Sequence, residues 1–274
     1  MEMLRRGLSG ARSPTQKVVQ AKPGHLSLLT TIPGWTMGLH RYDLMHVLFL
    51  GVCAHLVGSV LIDLCELGHW SGPNLRAKLA KAWRAFKKWA REHGVTSSQP
   101  MFKPGNLGRG KKPVLAEIKA KAHNCKVLVT WLAAVTELCP RKYGSHGQQM
   151  ATCVYAMAHF SWLLDRNKSW KLEEALAAEL RQTGLMFLLV YQQLSKWGIG
   201  HLKRLYGWKP KFHYFEHMLD IMESERIHPR LWMNWHEESL LGNTTSIASR
   251  THRLTAPERF LDRYRLLPIN PDQN

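Results

Sequence analysis

Asp43-Leu44-Met45-His46-Val47-Leu48-Phe49-Leu50-Gly51-Val52-Cys53-Ala54-His55-Leu56-Val57-Gly58-Ser59-Val60-Leu61-Ile62-Asp63 is the stretch on which the fold turns. From Leu44 to Ile62 it carries no formal charge, and nineteen mostly apolar residues reach the length of a membrane-spanning helix. A helix buried on all sides in a large helical core has the same hydropathy. His46 and His55 within the run, Asp43 and Asp63 at its ends, and the lack of a Lys/Arg cluster tight against one end favour the buried helix, with no membrane expected. A single-span membrane protein through 44–62 is the alternative.

Working outward, the chain reads as helix after helix. In 75–92, Leu75, Leu79, Ala82, Trp83, Phe86 and Trp89 recur near 3.6-residue spacing with Lys78, Lys81, Arg84, Lys87, Lys88 and Arg91 between them, and Gly94 closes the segment. Helical patterns follow at 114–138, 148–164, 172–197 and 212–224, separated by Pro140, Gly144, Gly147 and the run Gly198-Ile199-Gly200. Alternation of period two is almost absent, and 231–235 is the only strand candidate. These patterns predict a mostly α protein with a basic, disordered segment over 1–38, a helical domain over 39–267 and a short tail over 268–274.

Charge narrows the function. The chain has 274 residues, 45% of them hydrophobic, enough for a real core. Against 20 acids stand 38 Lys and Arg, giving +18. Between Arg76 and Lys126, fourteen cations face only Glu92 and Glu117. A solvated helix face usually balances its signs; this segment, with the Gly-rich loop through Lys103, Arg109, Lys111 and Lys112, predicts a positive surface that meets phosphates regardless of sequence. The charge fits a polyphosphate partner such as nucleic acid, though a merely basic protein shares this composition. Cys53, Cys65, Cys125, Cys139 and Cys153 are odd in number, lie in apolar stretches and form no C-x-x-C, which points to core thiols in a reducing compartment.

Two pairs of potential metal ligands lie far apart. Asp43 and His46 are spaced i, i+3, and His213 and His217 i, i+4, so that on helices each pair projects from one face. Together they make four ligands, the number a structural zinc ion takes. Glu237 and Glu238 follow the tryptophan-rich 231–236 and precede Arg250 and Arg253. The acids fit the negative first turn of a helix, or a carboxylate holding a divalent ion beside a phosphodiester bound by those arginines. Two-metal phosphoryl chemistry needs at least three converging carboxylates, so one glutamate does not suffice.

Asp43-Leu44-Met45-His46 followed by Leu50-Gly51-Val52 resembles the D-x-M-H…LG block of CACTA-type cut-and-paste transposases, whose RNase H-like domain carries an Asp-Asp-Glu triad. Pro210-Lys211-Phe212-His213-Tyr214-Phe215-Glu216-His217 is similar to the P-x-x-H-x-x-x-H segment before the family's catalytic Glu. Glu237-Glu238-Ser239-Leu240-Leu241-Gly242-Asn243 resembles the Glu-led segment ending in Gly-Asn. Related recombinase cores bind zinc through a cysteine pair and a histidine pair at corresponding places. The resemblance spans roughly 39–267.

It implies the helical insertion and C-terminal helix of an RNase H-like transposase, with the catalytic sheet largely absent. Asp43, His46, His213 and His217 then hold structural zinc, Glu237 is the third catalytic carboxylate with Glu238 its substitute, and the protein is nuclear and able to self-associate. Before Asp43 there is no aspartate, and Glu2 is the only acid, so neither of the family's first two catalytic aspartates has a counterpart. The expectation is a degenerate or truncated transposase that binds DNA without cutting it, Mg²⁺ entering only where a complete site exists. A helical interaction protein unrelated to transposases, its histidines satisfied in the core, fits the same residues.

Overall fold

The computed structural model describes residues 31–36, 41–110, 112–234 and 245. The chain divides into two units, Met1–Arg41 and Tyr42–Asn274. In the first, the described residues form a turn in which Trp35 N–H donates to Ile32 O (3.0 Å). The second is mostly helical, and among the described residues it has no strand, only an isolated antiparallel bridge between Lys171 and Ile227.

Its helices are α1 (Met45–Glu66), α2 (Leu75–Glu92), α3 (Ala122–Thr136), α4 (Cys139–Arg166), α5 (Glu174–Gly200) and α6 (Pro210–Glu225). Helix α1 is the apolar run that could be either a buried or a membrane-spanning helix. It lies in the core, long and apolar enough by composition to cross a membrane and with 94% of its apolar window buried among its neighbours. Leu48, Val52, Leu56, Val60, Leu61 and Leu64 are fully buried. Each contributes roughly 1.5–3 kcal/mol on leaving water, more than the ~0.5–1 kcal/mol that ordering such a side chain costs.

Amphipathic spacing sets the other helices. Helix α2 takes its expected span because Leu79, Ala82, Phe86 and Ala90 make one buried stripe and the Asn74 side chain caps it by accepting from Ala77 N–H (3.0 Å). Helices α3 and α4, α4 and α5, and α5 and α6 pack pairwise. All five cysteines are buried free thiols. Burial pushes Cys65 and Cys125 up to about 12 and Cys139 to about 11, which makes them inert core residues.

Two segments depart from the sequence reading. Helix α3 starts at Ala122 rather than 114, because 114–121 runs extended across α1. There Ile118 N–H donates to Ala54 O (3.0 Å), Ala116 N–H to Arg204 O (3.0 Å) and Lys119 N–H to Asn106 O (2.8 Å). Gly58 permits this crossing, since a Cβ there would lie 2.6 Å from the Glu117 backbone. The interruption expected around Pro140, Gly144 and Gly147 is present: α3 ends at Thr136, Pro140 sits in the first turn of the next helical stretch, and the backbone leaves helical geometry at Tyr143 and Gly144 before α4 runs on to Arg166. The strand candidate at 231–235 begins inside a 3₁₀ turn, Pro229–Trp232, capped by the His228 side chain, and its last residue lies outside the described set.

Candidate metal centre and nucleic-acid interface

Helix α1 opens with a π-helical run, Met45–Val52, in which Cys53 N–H reaches back five residues to Leu48 O. The run packs against α6. Gly51 lets the two approach, because a Cβ there would lie 2.4 Å from Lys211 Cδ, and Lys211 Nζ donates to Leu50 O (3.1 Å), 161 positions away in sequence. Helix α6 buries Phe212, Phe215, Met218, Leu219 and Met222, which turns His213, Tyr214 and His217 outward. Tyr42 stacks on two of them, its ring 5.1 Å from Tyr214 and 6.1 Å from His217. The halves of the pattern read from sequence thus lie on packed neighbours.

Within each half the ligating groups meet. His213 Nε2 and His217 Nε2 are 3.0 Å apart. Two nitrogens on one tetrahedral zinc lie about 3.3 Å apart at the usual bond lengths, so this pair is close to ligand spacing. Asp43 Oδ2 contacts His46 Nδ1, while Asp43 Oδ1 accepts from Met45 N–H (2.9 Å) and Asn234 N–H (3.3 Å). Both oxygens of Asp43 are therefore engaged locally, and its contact with Nδ1 leaves Nε2 of His46 as that ring's second functional nitrogen. Glu216 Oε2 stands 3.6 Å from Nδ1 of His213. A carboxylate on the far nitrogen of an imidazole is the usual support of a metal-bound histidine. Among the described residues no three His, Cys, Asp or Glu side chains converge in metal-binding geometry, so the pairs stand as two half-sites.

The basic loop has its own geometry. Lys103 and Lys112 are exposed, on either side of the 3₁₀ turn Pro104–Leu107. Arg109, expected from the sequence to meet phosphate, donates instead from Nη1 to Val114 O (2.7 Å) and from Nη2 to Arg204 O (3.0 Å). Burial pushes its guanidinium below the usual value. It ties the basic loop to the turn after α5. On α2, Lys81, Arg84, Lys88 and Arg91 are exposed, whereas Lys78 donates to Cys65 O (2.9 Å) at the end of α1. Trp83 and Trp89 pack against the core. Lys111, Glu237, Glu238, Arg250 and Arg253 lie outside the described residues.

Sequence reasoning missed a polar cluster around Asp63. This carboxylate is fully buried; its Oδ2 accepts from Tyr206 OH (2.7 Å) and lies 2.7 Å from His146 Nε2. Lys203 Nζ stands 3.9 Å from its Oδ1 and 2.8 Å from Glu66 Oε2. The His146 ring stacks on Trp197 at 3.7 Å. Burial, and then the Asp63 charge, push the Tyr206 phenol well up, so it stays a donor. The sequence did hold a signal: an aspartate ending a buried apolar run must find partners. His55, also in that run, lies with Nδ1 3.3 Å from Ala116 O and Nε2 3.7 Å from Glu117; burial pushes it below the usual histidine value.

No family model, curated protein or solved structure matches this chain.

Proposed function

We propose that the chain is a nuclear, sequence-independent DNA-binding protein derived from the helical part of a CACTA-type transposase, with a structural zinc site and no strand-cutting activity of its own. One observation carries this reading: Tyr42, beside the Asp43 and His46 pair, stacks on Tyr214 and His217 of α6, so the two halves of the transposase-like pattern adjoin in space. In the proposed site His46, His213 and His217 supply imidazole nitrogens, and Asp43 supplies the remaining ligand or holds the His46 ring. Bound zinc would staple the start of α1 to α6 and add to folding free energy. Exposed Lys103, Lys112, Lys119 and Lys121 supply phosphate contacts.

The catalytic proposal is negative. Glu237, with Glu238 as its substitute, is the only recognisable member of a three-carboxylate set, so Mg²⁺ has no second anchoring point and cannot activate both oxygens of an in-line displacement.

The test is metal content after purification without added chelator, followed by zinc titration of the apoprotein. One zinc per chain is expected, with a rise in melting temperature. His213→Ala with His217→Ala should abolish both. Absence of zinc from the wild-type chain, or equal zinc in the double variant, overturns the site.

An interaction protein of another class is favoured by one feature of α4. Its outer face exposes Tyr155 (65%) and Trp162 (50%), joined through His159 by near-parallel stacking and followed by Arg166 over Trp162. Tyr, Trp and Arg are the residue types that dominate protein interfaces.

A further inference from the structure

The turn that ends α5 breaks two local rules at one residue. Leu202 is 94% exposed and has a left-handed backbone, φ +51°. It follows the cap residue His201, a position at which glycine or asparagine is usual, because a left-handed backbone is strained for a leucine. At 94% exposure the side chain recovers almost none of this by packing. Ile199, three residues earlier, is 72% exposed, and Val114 on the facing segment 58%.

The tip is held firmly. Leu202 N–H donates to Ile199 O (3.0 Å) and Lys203 N–H to Gly198 O (2.8 Å), closing the helix end. Arg109 donates to Val114 O and Arg204 O, Ala116 N–H to Arg204 O, and Arg204 Nη1 to Pro113 O. Tyr206 N–H donates to Ser59 Oγ (2.8 Å), anchoring the turn to α1. Cations flank the tip along the chain: exposed Lys196 three residues before Ile199, exposed Arg204 two after Leu202, and exposed Lys112 next to Pro113, whose carbonyl accepts from Arg204. Lys203, between Leu202 and Arg204, pairs with Glu66 (2.8 Å) and stands 3.9 Å from Asp63.

We propose that Leu202, with Ile199 beside it, is an apolar wedge that enters a base step of duplex DNA while Lys112, Lys196 and Arg204 meet the flanking phosphates. Three side chains are too few for a protein interface, which takes about 800 Å² from each partner. The exposed cations flanking the tip in sequence suit a polyanion, and leucine and isoleucine are residues that pry base pairs apart from the minor groove. A pre-formed tip lowers the ordering cost of insertion. The inference rests on the DNA-binding reading under Proposed function and deepens it.

The test uses the full chain and a duplex with 2-aminopurine at a central TA step, a flexible step at which unstacking costs least. Leu202→Gly removes the wedge and suits the left-handed backbone, so its melting temperature should match or exceed that of the wild type. Wild type should raise the 2-aminopurine fluorescence on binding. Leu202→Gly should abolish that rise and bind about tenfold more weakly, with an unchanged slope of log affinity against log salt, since every phosphate-binding cation is still present. Binding without a fluorescence change in either protein overturns the wedge and leaves the DNA reading intact. Failure of the wild type to bind any duplex overturns both. Loss of binding to phosphatidylserine vesicles in Leu202→Gly, with DNA binding and fluorescence unchanged, overturns the wedge and assigns the tip to a membrane surface; a shift in sedimentation under the same condition overturns it in favour of an interface between copies.

Discussion

Replacing Asp63 by alanine tests the polar cluster at the end of α1. The carboxylate is fully buried, and Tyr206 OH and His146 Nε2 both lie 2.7 Å from its Oδ2. A hydrogen bond to a charged group contributes about 1.5–3 kcal/mol, and removing one member of a buried network leaves the others unpaired, at a total cost of roughly 3–5 kcal/mol. Tyr206 suffers most, because its hydroxyl is buried and has its partner in Asp63. Tyr206→Phe deletes one donor and keeps the ring, so it should cost about 1–2 kcal/mol. Urea denaturation followed by tryptophan fluorescence gives both numbers. At the size of this domain the Asp63→Ala loss corresponds to a fall of roughly 10 °C in melting temperature. A loss below about 1 kcal/mol, the range of exposed ion pairs, would refute the claim that this cluster joins α1, α4 and the turn after α5.

Gly58→Ala should destabilise by about 1–3 kcal/mol, because its Cβ would meet Glu117 backbone atoms at 2.6 Å; amide exchange should then accelerate over 114–121, and unchanged exchange would contradict the crossing. His228 predicts a pH dependence. Its Nε2 lies 3.0 Å from Leu164 O and its Nδ1 accepts from Arg230 N–H (3.0 Å), so the folded ring is neutral, and burial, opposed by the Leu164 bond, holds its pKa below the usual histidine value. The unfolded chain therefore takes up the proton first. Stability from this group is present above about pH 6.5 and falls as pH drops from there toward the folded pKa, by up to about 1.4 kcal/mol per pH unit. His228→Gln should flatten the difference between denaturation curves taken at pH 7.5 and pH 5; an equal difference in wild type and variant would remove His228 as the cause. Purified protein should show no nicking of supercoiled DNA in Mg²⁺ or Mn²⁺, and nicking that Glu237→Gln abolishes would mean that unrecognised carboxylates complete a site.

What was legible in the sequence was what short-range periodicity encodes. Helix α2 follows from its apolar stripe and the glycine after it, and the all-helical class from the near absence of alternation. The start of α3 was not legible, because 114–121 finds its backbone partners on α1, in the 3₁₀ turn and in the turn after α5 rather than four residues away. The interruption at Pro140 and Gly144 was legible, because a proline suits the first turn of a new helix and Gly144 takes a backbone, φ +58° and ψ −142°, that is not helical. The pairs Asp43 with His46 and His213 with His217 were visible from spacing. Their packing against each other was only an expectation, and the engagement of both Asp43 oxygens with Met45, Asn234 and His46 could not be read, since Asn234 lies 191 positions away. Asp63 drew notice as a charge ending an apolar run, whereas His146 and Tyr206, 83 and 143 positions distant, carry no local mark. Arg109 counts as a surface cation in the sequence, and only the fold reveals its carbonyl partners Val114 and Arg204.

The central proposal is that this basic helical domain binds DNA chiefly through its phosphates, without reading base identity. Its most direct measurement is the affinity of the full chain, across a salt series, for two duplexes of unrelated sequence that hold the same number of TA steps. The account predicts equal affinities and parallel straight lines of log affinity against log salt, with Lys103→Ala and Lys112→Ala together making both lines shallower by up to about 0.9 for each phosphate left unneutralised. Binding that is absent at low salt, insensitive to salt, or unaltered by those substitutions would contradict it.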